Sequence, residues 1–448
     1  MSEADTNQPL PPEVTTASLP RGRVALLFVV MLVTAAGNTA MQSVMPSIGT
    51  ALKVDDVWIS LAYTWSALLW MTCAPMWARR SDRRGRKAMM AIGLLGFISS
   101  FALCGLALWL GLNGWLGPVA TLLVFALCRS LYGGFGSAAP PAVQAYVASR
   151  TSRGQRTEAL SLISSSFGLG TVLGPALAPM LIFPGLGLVS PFIAFSLVAV
   201  VVLIALRWRL PDDTPAFAGK GDVMAAPFSA NSDSRPPRTS DDDAPEGFEV
   251  PKLRWQDDRL KPWLIAGLVG GHAQAAIMGI VGFLVLDRLG LRSDPIAGAG
   301  PTGMVLMAGA SATLLAQWGI IPRWHLGPRA CCLWGMVLAA LGVALLSIAP
   351  DLHSITIGMA LASLGFGLFR PGFTAGSSLA VSRAEQGQAA GIVASVNGAA
   401  YILAPAIGVW LYGHSAWIGF AAILALCGWV FILALRQMAV DDDLTGQI

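Results

Sequence analysis

The chain has 448 residues, of which 55% are hydrophobic and only 12% charged, and its mean hydropathy is +0.64. A soluble domain carries about 25% charged residues, so a water-soluble globular fold is excluded. The net charge of +4 does not mark a nucleic-acid binder, because the basic residues lie in short stretches between apolar runs and make no continuous patch.

In chain order, a polar leader (1–23) comes first. Apolar runs follow at about 24–46, 57–77, 88–109, 118–148, 158–183 and 188–208. A stretch rich in Pro, Ser and Asp occupies 209–261, and further apolar runs span 262–287, 296–321, 328–349, 353–381, 387–412 and 415–436. Each run is near the ~20 residues that cross a bilayer core. The reading is an all-α membrane protein of twelve transmembrane helices. A first six-helix bundle (24–208) and a second (262–437) are joined by a mostly disordered linker (209–261), and 438–448 is a polar tail. The first run is too long for a signal-peptide core, so no cleavable leader is expected. The six cysteines lie inside apolar runs without metal-ligand spacing and read as small buried hydrophobes.

Assigning the loops alternately to two sides separates the charges. One side collects Arg21, Arg23, Arg79 to Lys87, Arg150, Arg153, Arg156, the basic residues of 207–261, Arg323, Arg329, Arg383 and Arg436. The other side receives Lys53, Arg288 and Arg292. Positive loops stay cytoplasmic, which places both termini and the linker on the cytoplasmic side of a cytoplasmic (inner) membrane.

The densest basic stretch, "WARRSDRRGRKAMM" (77–90), is a topology anchor on that reading, which leaves Asp82 and Gly85 unexplained. Asp82-Arg83-Arg84-Gly85-Arg86-Lys87 resembles the loop signature of the major facilitator superfamily between its second and third spans; Ala78 and Arg80 depart from that pattern. The resemblance implies the major facilitator fold, in two pseudo-symmetric bundles. It also implies a conformational gate at Asp82, Gly85, Arg86 and Lys87, with the carboxylate docking near the start of span eleven, at Gly387 and Gln388. A carboxylate is favourable beside the free N–H groups of a helix start, and Gly85 allows a tight turn.

The halves echo each other. "GFGSAAP" (134–140) matches "GFGLFRP" (365–371), and "GPALAP" (174–179) matches "APAIG" (404–408). Parallel repeats suggest a transporter with its site at their interface near mid-membrane. In span five, "GLGTVLGPALAP" (168–179) resembles the signature of the twelve-span drug:proton antiporters through Gly170, Gly174 and Pro175. Glycines four apart let helices approach, and the proline can bend one. Together they read as a gate contact between the halves, or as ordinary small-residue packing. The resemblance points to export by proton antiport.

Charge at mid-membrane is costly and functional by default. Only Arg129 (span four) and Arg370 (span ten) lie there. Arg129 opens "RSLYGGFGSAA", which resembles the family's span-four signature with Tyr132 in place of a glutamine; that resemblance ties the arginine to proton coupling. Arg370 stands where the first half has Ala139, on a stripe with Ser363, Gly367, Thr374 and Ser377. Thr34, Asn38 and Gln42 form a similar stripe in span one, and His272 and Gln274 add polar groups in span seven. Substrate contacts are therefore expected from Asn38, Gln42, Arg129, Tyr132, His272, Gln274, Arg370 and Thr374; the other reading of each is structural hydrogen bonding. No Asp or Glu lies at mid-depth, so an anionic or zwitterionic solute is expected: an organic acid, an anionic antibiotic or a carboxylate siderophore. Arginine does not release its proton. His272 could titrate, or Glu158 or Asp287 could exchange with the solute at an arginine.

There is no G-x-x-x-x-G-K-[ST], no nucleophile triad and no metal-ligand cluster. An enzyme is not expected, nor any cofactor, metal or nucleic acid. The expected partners are a small molecule, protons and the bilayer, and the expected state is a monomer. The rival readings are an importer of a nutrient anion and a non-transporting membrane sensor or scaffold.

Overall fold

The computed structural model describes residues 20–150, 153–211, 253–381 and 385–441. Those residues form the α-helices α1 (Arg21–Ala51), α2 (Asp56–Arg84), α3 (Arg86–Leu112), α4 (Pro118–Gly134), α5 (Ala139–Ser149), α6 (Arg153–Leu177) and α7 (Ser190–Arg209), then α8 (Lys261–Arg288), α9 (Pro295–Leu314), α10 (Ile321–Trp324), α11 (Pro328–Ile348), α12 (Leu352–Leu379), α13 (Gln386–His414) and α14 (Ala416–Gln437). Among the described residues, eleven helical stretches are long and apolar enough to cross a membrane, counting α4 with α5 and α9 with α10 as single rods. With α6, these are the twelve rods expected.

Two joints interrupt them. Between α4 and α5, "GGFGSAAPPA" makes a 3-10 turn at Gly136–Ala138, because the tandem Pro140 and Pro141 remove two N–H donors at the start of the next segment. Between α9 and α10 a π-helical turn, Leu315–Ile320, precedes Pro322. The matching "GFGLFRP" in the second half carries a single proline, and α12 runs straight through Pro371.

The packing repeats. In the first half α1 packs on α6 and α7, α4 on α2 and α3, and α3 on α7. In the second half α8 packs on α13 and α14, α12 on α9 and α11, and α11 on α14. Each pair is the same pair one repeat later. The contacts between halves obey the same relation, α2 on α13 and α9 on α6.

The basic stretch at the end of α2 is less of a loop than expected. Helix continues to Arg84 and resumes at Arg86, so Gly85 alone separates α2 from α3. Gly85 has φ 89° and ψ 142°, a conformation open to glycine and strained for other residues. Arg86 is buried beneath this corner. The side chain of Asp82 and the surroundings of Gly387 lie outside the described residues, so the latch expected there is not tested. Gln388 accepts a hydrogen bond from the Leu253 amide at 2.7 Å.

The far end of the expected linker lies among the described residues. Residues 253–260 form ordered turns. Arg259 bridges Asp257 (2.9 Å) and Glu385 (3.0 Å), tying the approach to α8 onto the start of α13. The Arg259 hydrogen bonds hold the Asp257 carboxyl below its ordinary range. Residues 1–19, 212–252 and 442–448, which hold most of the expected leader, linker and tail, lie outside the described residues.

Gly170 and Gly174 do not face the other half. A Cβ on Gly170 would lie 2.7 Å from the Ala35 Cβ, and one on Gly174 would fall on the Ala36 carbonyl and the Thr39 hydroxyl. Both glycines therefore let α6 lie against α1 of its own bundle, where Thr39 donates to the Gly170 carbonyl at 3.2 Å. The expected role at the half interface passes to the turn after them: Pro175 and Pro179 face Gly303 of α9. Gly174→Leu should lower stability by about 1–3 kcal/mol, as overpacking does. Thermal unfolding of the purified protein in detergent measures this, and an unchanged midpoint would refute the α1–α6 contact.

Candidate functional site

A cavity of about 710 Å³ lies between the bundles, a size that suits a drug-sized solute. Residues of α1, α2, α4 and α6 line one wall, and residues of α8, α9, α12 and α13 line the other. Both bundles thus use the same four positions of the repeat.

The two ends differ. At the end remote from the termini the bundles touch. Pro46 of α1 meets Gly282 of α8, Ser47 lies against Gly298 of α9, and the Pro175 carbonyl would lie 2.5 Å from a Cβ on Gly303. Toward the terminal end, Met71 of α2 meets Gly398 of α13, and Thr64 donates to the Ile402 carbonyl at 2.5 Å. Beyond that level Gly391 and Ser395, both exposed, line the cavity and mark where it reaches solvent.

Asn38, Gln42, Arg129, Tyr132, Gln274 and Arg370 all line this one cavity. His272 does not: its Nδ1 pairs with the Leu268 carbonyl of its own helix at 2.7 Å. Thr374 also lies outside the lining. It stands one turn along α12 from Arg370 and is half-buried. Thr34 bonds back to the Val30 carbonyl. The side chain of Glu158 lies outside the described residues, and Asp287 lies at the remote end.

Arg129 is 2% exposed. Its Nη2 donates to Oδ1 of Asn38, and its guanidinium carbon lies 4.3 Å from the Tyr132 ring centroid and 5.6 Å from that of Phe101. Its Nε and Nη1 have no hydrogen-bond partner among the described residues. Close approach of α4 to α2 makes this burial possible, since Gly133 lies against the Ser66 carbonyl. Across the cavity, Arg370 donates to Oδ1 of Asn397 at 3.4 Å, with the Tyr401 ring centroid 6.0 Å from its guanidinium carbon. Two further buried polar atoms of the lining, the Tyr63 hydroxyl and Oε1 of Gln274, also lack partners among the described residues. No Asp, Glu, Lys or His is present among the described lining residues.

The sequence reading missed the faces of α2 and α13: Ser60, Tyr63, Ala67 and Trp70 on one, and Ala394, Asn397, Tyr401 and Pro405 on the other. The signal was present, since Asn397 and Tyr401, like Tyr63 and Ala67, are four apart on one helical face.

The family model described as Major Facilitator Superfamily matches residues 27–327. The chain belongs to that superfamily. It is 27% identical to the class C tetracycline resistance protein of Escherichia coli over 83% of this chain and 85% of that one. With the probable actinorhodin transporter of Streptomyces coelicolor it shares 27% identity over 42% of this chain, which spans only 30% of that protein's length. The fold superposes, with a TM-score of 0.68, on the crystal structure of a bacterial homolog to the human lysosomal transporter Spinster. The conformation of that structure is inward-facing and unoccupied, its sequence is 11% identical, and the match covers 93% of this chain and 98% of that one. Membership of the superfamily places this chain in a family of transporters.

Proposed function

We propose that this superfamily member is a monomeric, proton-coupled exporter of a small anionic organic molecule. On this reading it works by alternating access in the cytoplasmic membrane, with both termini in the cytoplasm. The observation that carries the anionic reading is Arg129: a buried guanidinium with two unmatched donors beside a solute-sized cavity. Burying an arginine costs at least ~2.5–3.5 kcal/mol on insertion scales, and a neutral Asn38 recovers little of that. A carboxylate or sulfonate would satisfy the fork in a bidentate pair. Arg370 faces the same space from the other bundle, so an anion held between them would engage both moving bodies.

Export and proton coupling rest on the resemblance to drug:proton antiporters and on relatives named for drug resistance. Because arginine keeps its proton, the coupling proton must be carried by another group. The test is uptake of a panel of organic anions and cations into energised inverted vesicles, whose outer face is the cytoplasmic one. Anions should be carried, and Arg370→Gln should lower their transport about tenfold or more, the effect of losing one charge-assisted contact. Export of cations alone, or equal loss of both classes in the variant, would refute the reading. Cells lacking the protein should accumulate the solute; failure to take it up would make the protein an importer.

A further inference from the structure

Arg292 lies in the short turn between α8 and α9, in the second bundle. Its Nη1 and Nη2 grip both oxygens of Asp56 on the first bundle, at 2.7 and 2.6 Å. Its Nε donates to Oδ1 of Asp287, in its own bundle, at 2.6 Å. The Tyr412 hydroxyl donates to the other Asp287 oxygen at 2.8 Å. The guanidinium carbon stands 5.6 Å from the ring centroid of Phe283, a buried residue that lines the cavity. The cluster therefore sits over the closed end of the cavity, the end remote from the termini.

We infer that Asp56 and Arg292 form an ionic latch that holds this end of the transporter shut and must part once in every transport cycle. This goes beyond the solute reading and rests on it only in requiring that the bundles rock. A bidentate guanidinium–carboxylate pair fixes orientation as well as attraction, which suits a contact that must re-form in register. Both partners keep a favourable place when the pair opens. Arg292 remains bound to Asp287, itself steadied by Tyr412. Asp56 occupies the first turn of α2, where the N–H groups of the helix start favour a carboxylate. Opening therefore leaves neither charge stranded. The carboxylate partners hold Arg292 firmly in its charged form, with Asp56 the larger influence. The pair is partly exposed, the arginine side chain at 36% and Asp56 at 19%, so its strength is that of a weak, reversible lock rather than a permanent brace.

The experiment is thiol labelling of the full-length protein in its membrane. Ser60 is buried, lines the cavity and lies one turn inside Asp56. Ser60→Cys would be labelled with a membrane-impermeant maleimide from the side opposite the termini, with the Ser60 protein giving the background from native cysteines. Adding Asp56→Asn or Arg292→Gln should speed labelling by about three- to tenfold through a shift toward the open state. Asp287→Asn leaves the inter-bundle pair in place and should change the rate much less. Unchanged labelling in both Asp56→Asn and Arg292→Gln would overturn the latch. Asp287→Asn acting as strongly as Asp56→Asn would also overturn it, by showing that the cluster only braces α8. The readout needs no solute, so it stands or falls separately from the anion reading.

Discussion

Arg129→Gln should abolish measurable efflux while making the protein harder to unfold. The two effects have one cause. Among the described residues the buried guanidinium has a single neutral acceptor, Asn38, and two donor atoms without a partner. Replacing a poorly compensated buried charge with a neutral group commonly raises stability. The same donors, however, are the best-placed groups for an anion in the cavity, and truncating one partner of a buried charge pair costs about 2–5 kcal/mol of binding. Solute affinity should therefore fall by about 30-fold or more. Arg129→Lys keeps the charge but loses the fork that reaches Asn38 and a ligand together, and should retain partial binding. Solute binding and thermal unfolding, measured on the same purified variants, check both signs. A glutamine variant that both binds normally and melts lower would place Arg129 in the scaffold instead of the site.

Gly303→Leu should stop the cycle without touching the solute. A side chain at this position would drive into the Pro175 carbonyl and the Pro179 ring, 2.5 and 2.8 Å from the first added carbon. Those atoms belong to the other bundle, so the clash exists only while this end is closed. Overpacking of about 1–3 kcal/mol acting on one state alone shifts the balance of states by roughly 5- to 150-fold. The variant should accumulate in the membrane, label readily at Ser60→Cys and export at about a tenth of the normal rate or less. Normal export would mean that α6 and α9 need not meet here.

The fold was legible because a membrane span announces itself by length: apolar runs near 20 residues need no subtle periodicity, and a repeated glycine–proline motif gave the two halves. The arginines were legible for the same reason, since a charge in an apolar run stands out. What the sequence could not supply was direction. The spacing of Gly170 and Gly174 promised a close helix contact but not its partner, and α1 took the place expected of the other bundle. His272 looked like a titratable group at mid-depth, yet its ring turns to its own backbone. Tyr63, Trp70 and Tyr401 resembled ordinary membrane aromatics, and only the meeting of α2 with α13 shows that they wall the cavity. Asp56 and Arg292 are 236 residues apart; each reads alone as an unremarkable loop charge.

The two halves are not mechanical copies, because one carries a joint where the other does not. Arg129 sits about two turns before the 3-10 break that divides α4 from α5, whereas Arg370 rides in the second half of the unbroken α12. The helix that carries Arg129 thus meets a 3-10 corner before it leaves the membrane, while the helix that carries Arg370 continues to both faces with Pro371 inside it. An occupant gripping both would therefore sit between one jointed helix and one continuous helix, so its two contacts need not move alike.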